Sequence, residues 1–501
     1  EILIVEEKNP TLEWLVKDAL YGGPDQPRVV GKTHPDGRPL MPNHGILDAD
    51  AILVGLRERL STRLAQRLAP EPTVRERILL PLSVERTPYF CSGCPHNWGT
   101  KVPDDALVGA GIGCHGMVLL MDEDKVGTSA GITAMGNEGT QWIGMSPFVD
   151  REHFTQNIGD GTFFHSGQLA IQAAVAAGMR ITYKLLYNGT VAMTGGQDAV
   201  GGVGVPEIAS ILLSHGVARI LITTEDTARY KGVRLPTGIK VWDRTQELLA
   251  EVDGVTVLIH DQACAAQTRR LRKRQKADTP GFRVVINHRL CEACGDCGEV
   301  SNCLSVQPVD TDLGVKTTID QSSCNLDASC LEGDCPSFMT VAVDPDDPAT
   351  AEVPGSYRSG DLVAPVAIGD TGQVDIRLAG IGGTGVVTVA QILATAAMID
   401  GYDVRGLDQT GLSQKAGPVI SDLRLSRNGP RASNLVGEAG ADVILAFDLL
   451  VGASAKTMHA ASVEQTVMVA STSETPTGSM VGHPEKDLPT VEELVGRADS
   501  R

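Results

Sequence analysis

Seven of the chain's eleven cysteines fall within 45 residues, from Cys291 to Cys335. No other feature limits the fold so tightly, because so many thiols in so short a span must share something. The count is odd, the chain is 501 residues long and no export signal is visible. A disulfide framework therefore fits poorly, and metal or cluster ligation fits better. In the run Cys291-x2-Cys294-x2-Cys297, three thiolates can wrap one cubane and leave a distant cysteine for the fourth iron. Cys335 precedes Pro336, and a Cys-Pro supplies that distant ligand in bacterial two-cluster ferredoxins. The second group is Cys303, Cys324, Asp327 and Cys330. A ferredoxin pattern has cysteine where Asp327 stands, so Asp327 is read as a carboxylate ligand, or that iron is labile. Zinc held by some of these thiols is the alternative. The terminal Cys-Pro favours iron–sulfur.

Composition narrows the rest. At roughly 100–200 residues per domain, the length allows about three or four domains. Lys and Arg number 43 against 62 Asp and Glu, a net charge of −19. That balance argues against nucleic acid or an anionic membrane as partner. No uncharged apolar stretch of about 18 residues occurs, so no membrane helix is expected, and a cytoplasmic location is.

A second motif lies upstream. Gly159-Asp160-Gly161 precedes a helix-like stretch, Phe163–Gly178, and then the β-rich Ile181–Tyr187, which ends at Asn188. Strand, glycine turn, helix and strand bring the ends of two neighbouring strands together, so Asp160 and Asn188 face one point. Mg²⁺ prefers six hard oxygens. Asp160 offers a carboxylate, Asn188 an amide oxygen and Thr190 a backbone carbonyl. Gly159 and Gly161 allow close backbone approach, and the helix start favours an anion. A bare Gly-Asp-Gly is weak; with Asn-Gly-Thr at this distance it points to thiamine diphosphate.

These residues, with Cys91-Ser-Gly-Cys94-Pro-His96, Gly111-Ile-Gly-Cys114 and Tyr187-Asn-Gly-Thr-Val-Ala-Met-Thr-Gly-Gly-Gln197, resemble the indolepyruvate ferredoxin oxidoreductases. More closely, they resemble the long fused form of those thiamine diphosphate-dependent 2-oxoacid oxidoreductases. The resemblance implies oxidative decarboxylation of an arylpyruvate, transfer of the acyl group to coenzyme A, and electrons leaving through about three [4Fe–4S] clusters to a ferredoxin-like acceptor. It also implies a proximal cluster on Cys91, Cys94, Cys114 and Cys264. His96 and His115 can contact cofactor or substrate, or be structural, and His165, one turn into the helix after Gly161, can touch the diphosphate. The family's activating glutamate belongs to a pyrimidine-binding domain expected ahead of Glu1. The chain is accordingly read as a fragment, inactive alone, of a homo-oligomeric parent.

Gly380-Ile-Gly382-Gly383-Thr-Gly385 follows the strand-like Val374–Ala379 and precedes the helix-like Val386–Met398. Such a turn cradles phosphate in a Rossmann-like setting, and the resemblance makes coenzyme A or acceptor contacts there plausible. Arg269–Lys276 is basic and reads as a solvated helix end, or as a patch for ferredoxin or coenzyme A. The expected fold is α/β in several parts. Residues 1–28 are the tail of a preceding domain, and 29–84 a connector with a helix over Ala49–Leu68. Residues 85–275 form a parallel-sheet thiamine domain with strands near Leu107, Asn157, Ile181, Ile220 and Val257. Residues 280–342 form a ferredoxin-like domain, 343–373 a linker, and 374–501 a second, incomplete Rossmann-like domain. Two other functions are the alternatives. A non-redox thiamine decarboxylase or synthase needs no clusters, and a non-catalytic electron-relay subunit needs no Asp160–Asn188 pair.

Overall fold

The computed structural model describes residues 1–45, 47, 49–64, 68, 81–103, 105–242, 249–343, 372–412, 416–429, 431, 433–481, 483 and 486–499. The chain divides into two compact units, Glu1–Leu80 and Pro81–Arg501. In the first, β1 (Ile2–Leu3) pairs in parallel with β2 (Val29–Val30). Val30, Leu40 and Met41 form its small core. Buried Glu13 accepts hydrogen bonds from the Lys32 backbone and the Lys17 ammonium. The helix expected over Ala49–Leu68 ends at Leu60, where Ser61 and Thr62 follow and their hydroxyls compete for backbone partners.

The second unit opens with a seven-stranded sheet. Its strands are β3 (Leu107–Ala110), β4 (Thr128–Ile132), β5 (Phe154–Gly159), β6 (Ile181–Tyr187), β9 (Arg219–Thr224), β10 (Lys240–Trp242) and β11 (Val255–Asp261). A small hairpin, β7 (Thr190–Val191) and β8 (Gln197–Asp198), stands beside it. The order is β10-β9-β11-β6-β5-β3-β4 and every pairing is parallel. All five strands read from the sequence are present. Because side chains alternate across a strand, each strand has two different faces. Ile181, Tyr183 and Leu185 join Phe154, Ile158, Val257 and Ile259 in the main apolar core, under helices at Gln168–Ala176 and Val205–Ser214. The opposite face is buried too, and mixes polar side chains with Leu186, Leu221 and Leu258. Thr182 shares a hydrogen bond with Thr256 (2.8 Å), and Thr223 with His260 (3.0 Å).

Two hairpin-like pairs follow. β12 (Phe282–Ile286) lies antiparallel to β15 (Phe338–Ala342), and β13 (Val306–Thr311) to β14 (Gly314–Ile319). Their core mixes Val284, Val306 and Ile319 with Cys297, Cys303 and Cys330, so cysteines supply much of what aliphatic side chains would in a larger domain. The last sheet has the order β17-β18-β16-β19-β20, with β16 (Gln373–Ile381), β17 (Asp403–Gln409), β18 (Pro418–Ser426), β19 (Val443–Ala446) and β20 (Val467–Ala470). It is mixed: β16 is parallel to β19 and antiparallel to β18. The linker expected over 343–373 falls almost entirely outside the described residues. No helix among the described residues is long and apolar enough to cross a membrane.

Candidate functional site

Asp160 follows β5 and Asn188 follows β6, and these strands are neighbours with Gly159 opposite Leu186. The Asp160 carboxylate ties the two ends together. One oxygen accepts from Gly161 N–H (2.8 Å), and the other from Asn188 N–H (2.9 Å) and Gly189 N–H (2.7 Å). Burial raises its pKa, while those backbone donors pull it down. The Asn188 side-chain oxygen accepts from Thr190 N–H at 3.0 Å, which fixes the amide beside the carboxylate. The expected helix begins directly at Asp160. It contains a π turn over Phe163–Gly167, then continues as α-helix over Gln168–Ala176. Open sheets of this kind bind ligands outside the carboxyl ends of their strands, where Asp160, Asn188 and the Gly111–Cys114 loop all lie.

His115, in the short helix Cys114–Leu120 that follows the loop, is buried with no partner for Nε2, and burial pushes its pKa down to about 4. A side chain at Gly159 would touch this imidazole. The Thr162 hydroxyl donates to the Ile112 carbonyl at 3.2 Å. Asn157, on β5 just before Asp160, is fully buried with neither amide atom partnered. Glu138, after β4, is also fully buried, and its Oε1 has no partner. Nothing in the sequence pattern marked Asn157 or Glu138. His165 pairs with Ser166 (2.7 Å) at the start of the helix.

Cys91, Cys94 and Cys114 pack in one cluster with Phe90, Met117 and Val118. His96 joins them: its ring lies 5.8 Å from Phe90 and 6.5 Å from the parallel His115 ring, and its Nδ1 is 3.5 Å from Cys94 Sγ. Cys264 is buried at the start of the helix Ala265–Lys273 and is not among the residues of that cluster. The Cys91–Lys101 segment lies across the polar face of the sheet. Lys184 reaches up from β6 to the carbonyls of Gly99 (3.3 Å) and Lys101.

The other cysteines form two electrostatic groups. Burial raises Cys297 to about 11, and the charges of Cys291, Cys335 and Cys294 push the same way. Burial raises Cys330 to about 12, with Cys303, Asp327 and Cys324 as its main charged neighbours. The second group abuts the Cys91–Cys94 loop. Gly93 N–H donates to Cys303, and a side chain at Gly93 would stand 2.6 Å from an Asp327 oxygen. The Tyr89 hydroxyl donates to Asn302, which precedes Cys303, and Lys101 donates to Val300 O at 3.1 Å. Among the described residues, no three His, Cys, Asp or Glu side chains converge closely enough to hold a single metal ion.

The basic helix is tied down. Arg269 donates to Ser323 O (3.1 Å), Arg270 to Gly195 O (2.7 Å) and Arg272 to Asn325 O (2.6 Å). Arg269 and Arg272 therefore brace the loop that carries Cys324 and Asp327. In the last sheet, the Gly380–Gly385 turn joins β16 to the helix Val386–Ile399. Gly383 and Gly385 have φ of 92° and 96°, with open space where a side chain would be.

Residues 111–228 match the C-terminal TPP-binding domain of thiamine pyrophosphate enzymes, and residues 375–500 the pyruvate ferredoxin/flavodoxin oxidoreductase family. The chain is 26% identical to indolepyruvate oxidoreductase subunit IorA of Methanothermobacter thermautotrophicus over 329 residues, covering 59% of this chain and 45% of that one. It is 25% identical to IorA of Thermococcus kodakarensis over 334 residues, covering 61% and 48%. A 76-residue stretch is 40% identical to subunit IorB of the same organism, covering 15% of this chain and 37% of that subunit. The chain thus spans about half the length of the IorA relatives. By these matches, with the thiamine-type strand ends and the gathered cysteines, the chain is similar to the indolepyruvate oxidoreductases over about 60% of its length, and carries a thiamine pyrophosphate enzyme C-terminal domain match and a pyruvate ferredoxin/flavodoxin oxidoreductase match.

Proposed function

We propose that the chain carries the thiamine diphosphate and electron-transfer parts of an enzyme that oxidatively decarboxylates an arylpyruvate, passes the acyl group to coenzyme A and sends electrons to a ferredoxin-like acceptor. The observation that carries this reading is the Asp160 carboxylate, clamped by backbone donors from both strand ends beside the Asn188 amide. The donor set suits Mg²⁺, which takes hard oxygens: Asp160, Asn188 and the Thr190 carbonyl would hold it. The unpartnered atoms of Asn157 and His115 fit a site completed by a polar ligand. When bound, thiamine diphosphate supplies the electron sink for the carbanion left by decarboxylation.

The chain's own residues orient and wire that chemistry. In this reading Cys91, Cys94, Cys114 and Cys264 hold a proximal [4Fe–4S] cluster. Cys303, Cys324, Asp327 and Cys330 hold a second, and Cys291, Cys294, Cys297 and Cys335 a third. Gly93 supports the order, because its backbone touches both the first group's loop and the second group's Cys303. The turn at Gly380, Gly382, Gly383 and Gly385 is the place for a phosphate of coenzyme A or for the acceptor. Matches to both IorA and IorB support a fused form of what those organisms keep as two subunits. Replacing Asp160 by Ala should abolish thiamine diphosphate and Mg²⁺ binding, measured calorimetrically, while iron content stays unchanged. An unaltered cofactor affinity would sink the assignment.

A further inference from the structure

Asn302 stands where the ferredoxin-like domain meets the loop of the first cysteines. It closes the helix Asp296–Ser301 and precedes Cys303, with φ of 49° and ψ of 38°. Its N–H donates to Gly298 O at 2.7 Å. Asparagine tolerates this left-handed backbone at a helix end, and such a cap asks nothing of the side chain. Here the side chain is buried, and both ends of its amide are spent on another part of the chain. Oδ1 accepts from the Tyr89 hydroxyl. Nδ2 donates to Asn97 Oδ1 at 3.4 Å and to Met121 Sδ at 3.8 Å.

Tyr89 lies two residues before Cys91 and Asn97 three after Cys94, so one amide holds both feet of the loop. Within the loop, Cys94 N–H donates to Cys91 O and Asn97 N–H to Cys94 O, each at 3.0 Å. Feet and cysteines therefore move together. Tyr89 cannot swing away, because its ring lies against the Gly478 backbone. On the other side of Asn302, Cys303 takes the Gly93 N–H from the middle of the same loop. Tyr89, Asn97 and Asn302 are all buried, and a satisfied buried polar network fixes one arrangement. The position needs a left-handed backbone with an acceptor and a donor on one short head. Aspartate lacks the donor, glycine lacks the head, and glutamine carries the amide one methylene too far.

We propose that Asn302 is a positioning residue for electron transfer: its amide sets the gap between the Cys91, Cys94 and Cys114 group and the Cys303 group. Tunnelling falls off steeply with distance, so a clamp on both feet of one loop governs that step. One electron, released by the decarboxylation proposed above, moves from the first group's centre to the second's. No bond is made or broken, and Asn302 is neither oxidised nor reduced. The inference rests on the iron–sulfur reading above, and its test separates the two.

The full-length protein is purified anaerobically, assayed for iron and sulfide, reduced with dithionite and examined by electron paramagnetic resonance. Reduced centres close in space split and broaden each other's lines. Cys91→Ala, which removes a ligand of the first group, identifies that group's share of the splitting. Asn302→Gly keeps the left-handed backbone and removes the amide. It should hold iron and sulfide at the parent level and lose the first group's share. If the glycine variant loses iron, Tyr89→Phe decides instead, since it keeps the ring on Gly478 and removes only the hydroxyl; it should show the same loss of splitting. Unchanged splitting in the deciding variant overturns the proposal. So does loss of iron and sulfide from both variants, which would make the network a requirement for cluster assembly. A parent protein with sulfide but no share of splitting from the first group overturns this inference alone. A parent protein without sulfide overturns the iron–sulfur reading, and this inference with it.

Discussion

At the scale of single residues, Gly93 is where two cysteine groups meet. It lies between Cys91 and Cys94, adopts φ of 63°, donates its N–H to Cys303 and leaves no room for a side chain beside Asp327. A Gly93→Ala variant must strain the backbone, at a cost of order 1–3 kcal/mol, and push the Asp327 carboxylate aside. The expected outcome is an altered electron paramagnetic resonance signal from the Cys303 group with thiamine diphosphate affinity unchanged. An unchanged signal would mean that the two groups are not coupled through this contact. The sequence showed the cysteines and Asp327 but not Gly93, since a glycine between two cysteines carries no signal of what folds against it. Glu138 and Asn157 were equally silent. Their character comes from buried atoms left without a partner, Oε1 of Glu138 and both amide atoms of Asn157, which only the packed chain displays.

At the scale of elements, β6 shows what sequence patterning reaches and where it stops. Ile181–Tyr187 was legible to the residue, because β-branched and aromatic residues crowd one short run bounded by turns. Its second face was not. Lys184 sits in mid-strand, buried, and burial holds its pKa down to about 7. Its role follows from the Cys91–Lys101 segment folding across that face, a long-range contact no local period announces. The depressed value makes a pH prediction. Between about pH 7 and the ordinary lysine value near 10.4, the unfolded chain carries a proton there that the folded chain lacks. Stability should therefore rise with pH through that window, by up to about 1.4 kcal/mol per unit from this residue. Denaturant unfolding of the parent protein and Lys184→Met at several pH values measures the difference. Identical slopes would show that Lys184 does not titrate in that range.

At the scale of the molecule, residues 82–90 run from the last sheet to the first cysteine. Leu82 and Val84 pack with Leu449 and Leu494, and a side chain at Gly417 would meet Pro88. Arg86 makes a buried two-pronged pair with Asp448 (3.3 and 3.1 Å) and donates to Thr475 O at 2.8 Å. Removing one partner of a buried pair typically costs about 3–5 kcal/mol. Arg86→Ala should thus loosen the strap, which limited proteolysis would register as faster cleavage near residues 82–90. An unchanged cleavage pattern would assign the docking to the apolar contacts instead. The composition bounded the number of domains but gave no hint that this strap would join the last sheet to the cysteine loop.

In the proposed function, one chain places a thiamine site against a continuous series of iron–sulfur centres. Iron, acid-labile sulfide and zinc, counted per chain after anaerobic purification, test it most directly. Three cubanes predict about 12 iron and 12 sulfide. About 8 of each would leave the Cys91, Cys94, Cys114 and Cys264 group without a cluster and break the path at its first step. Zinc without sulfide would rule out the iron–sulfur path altogether.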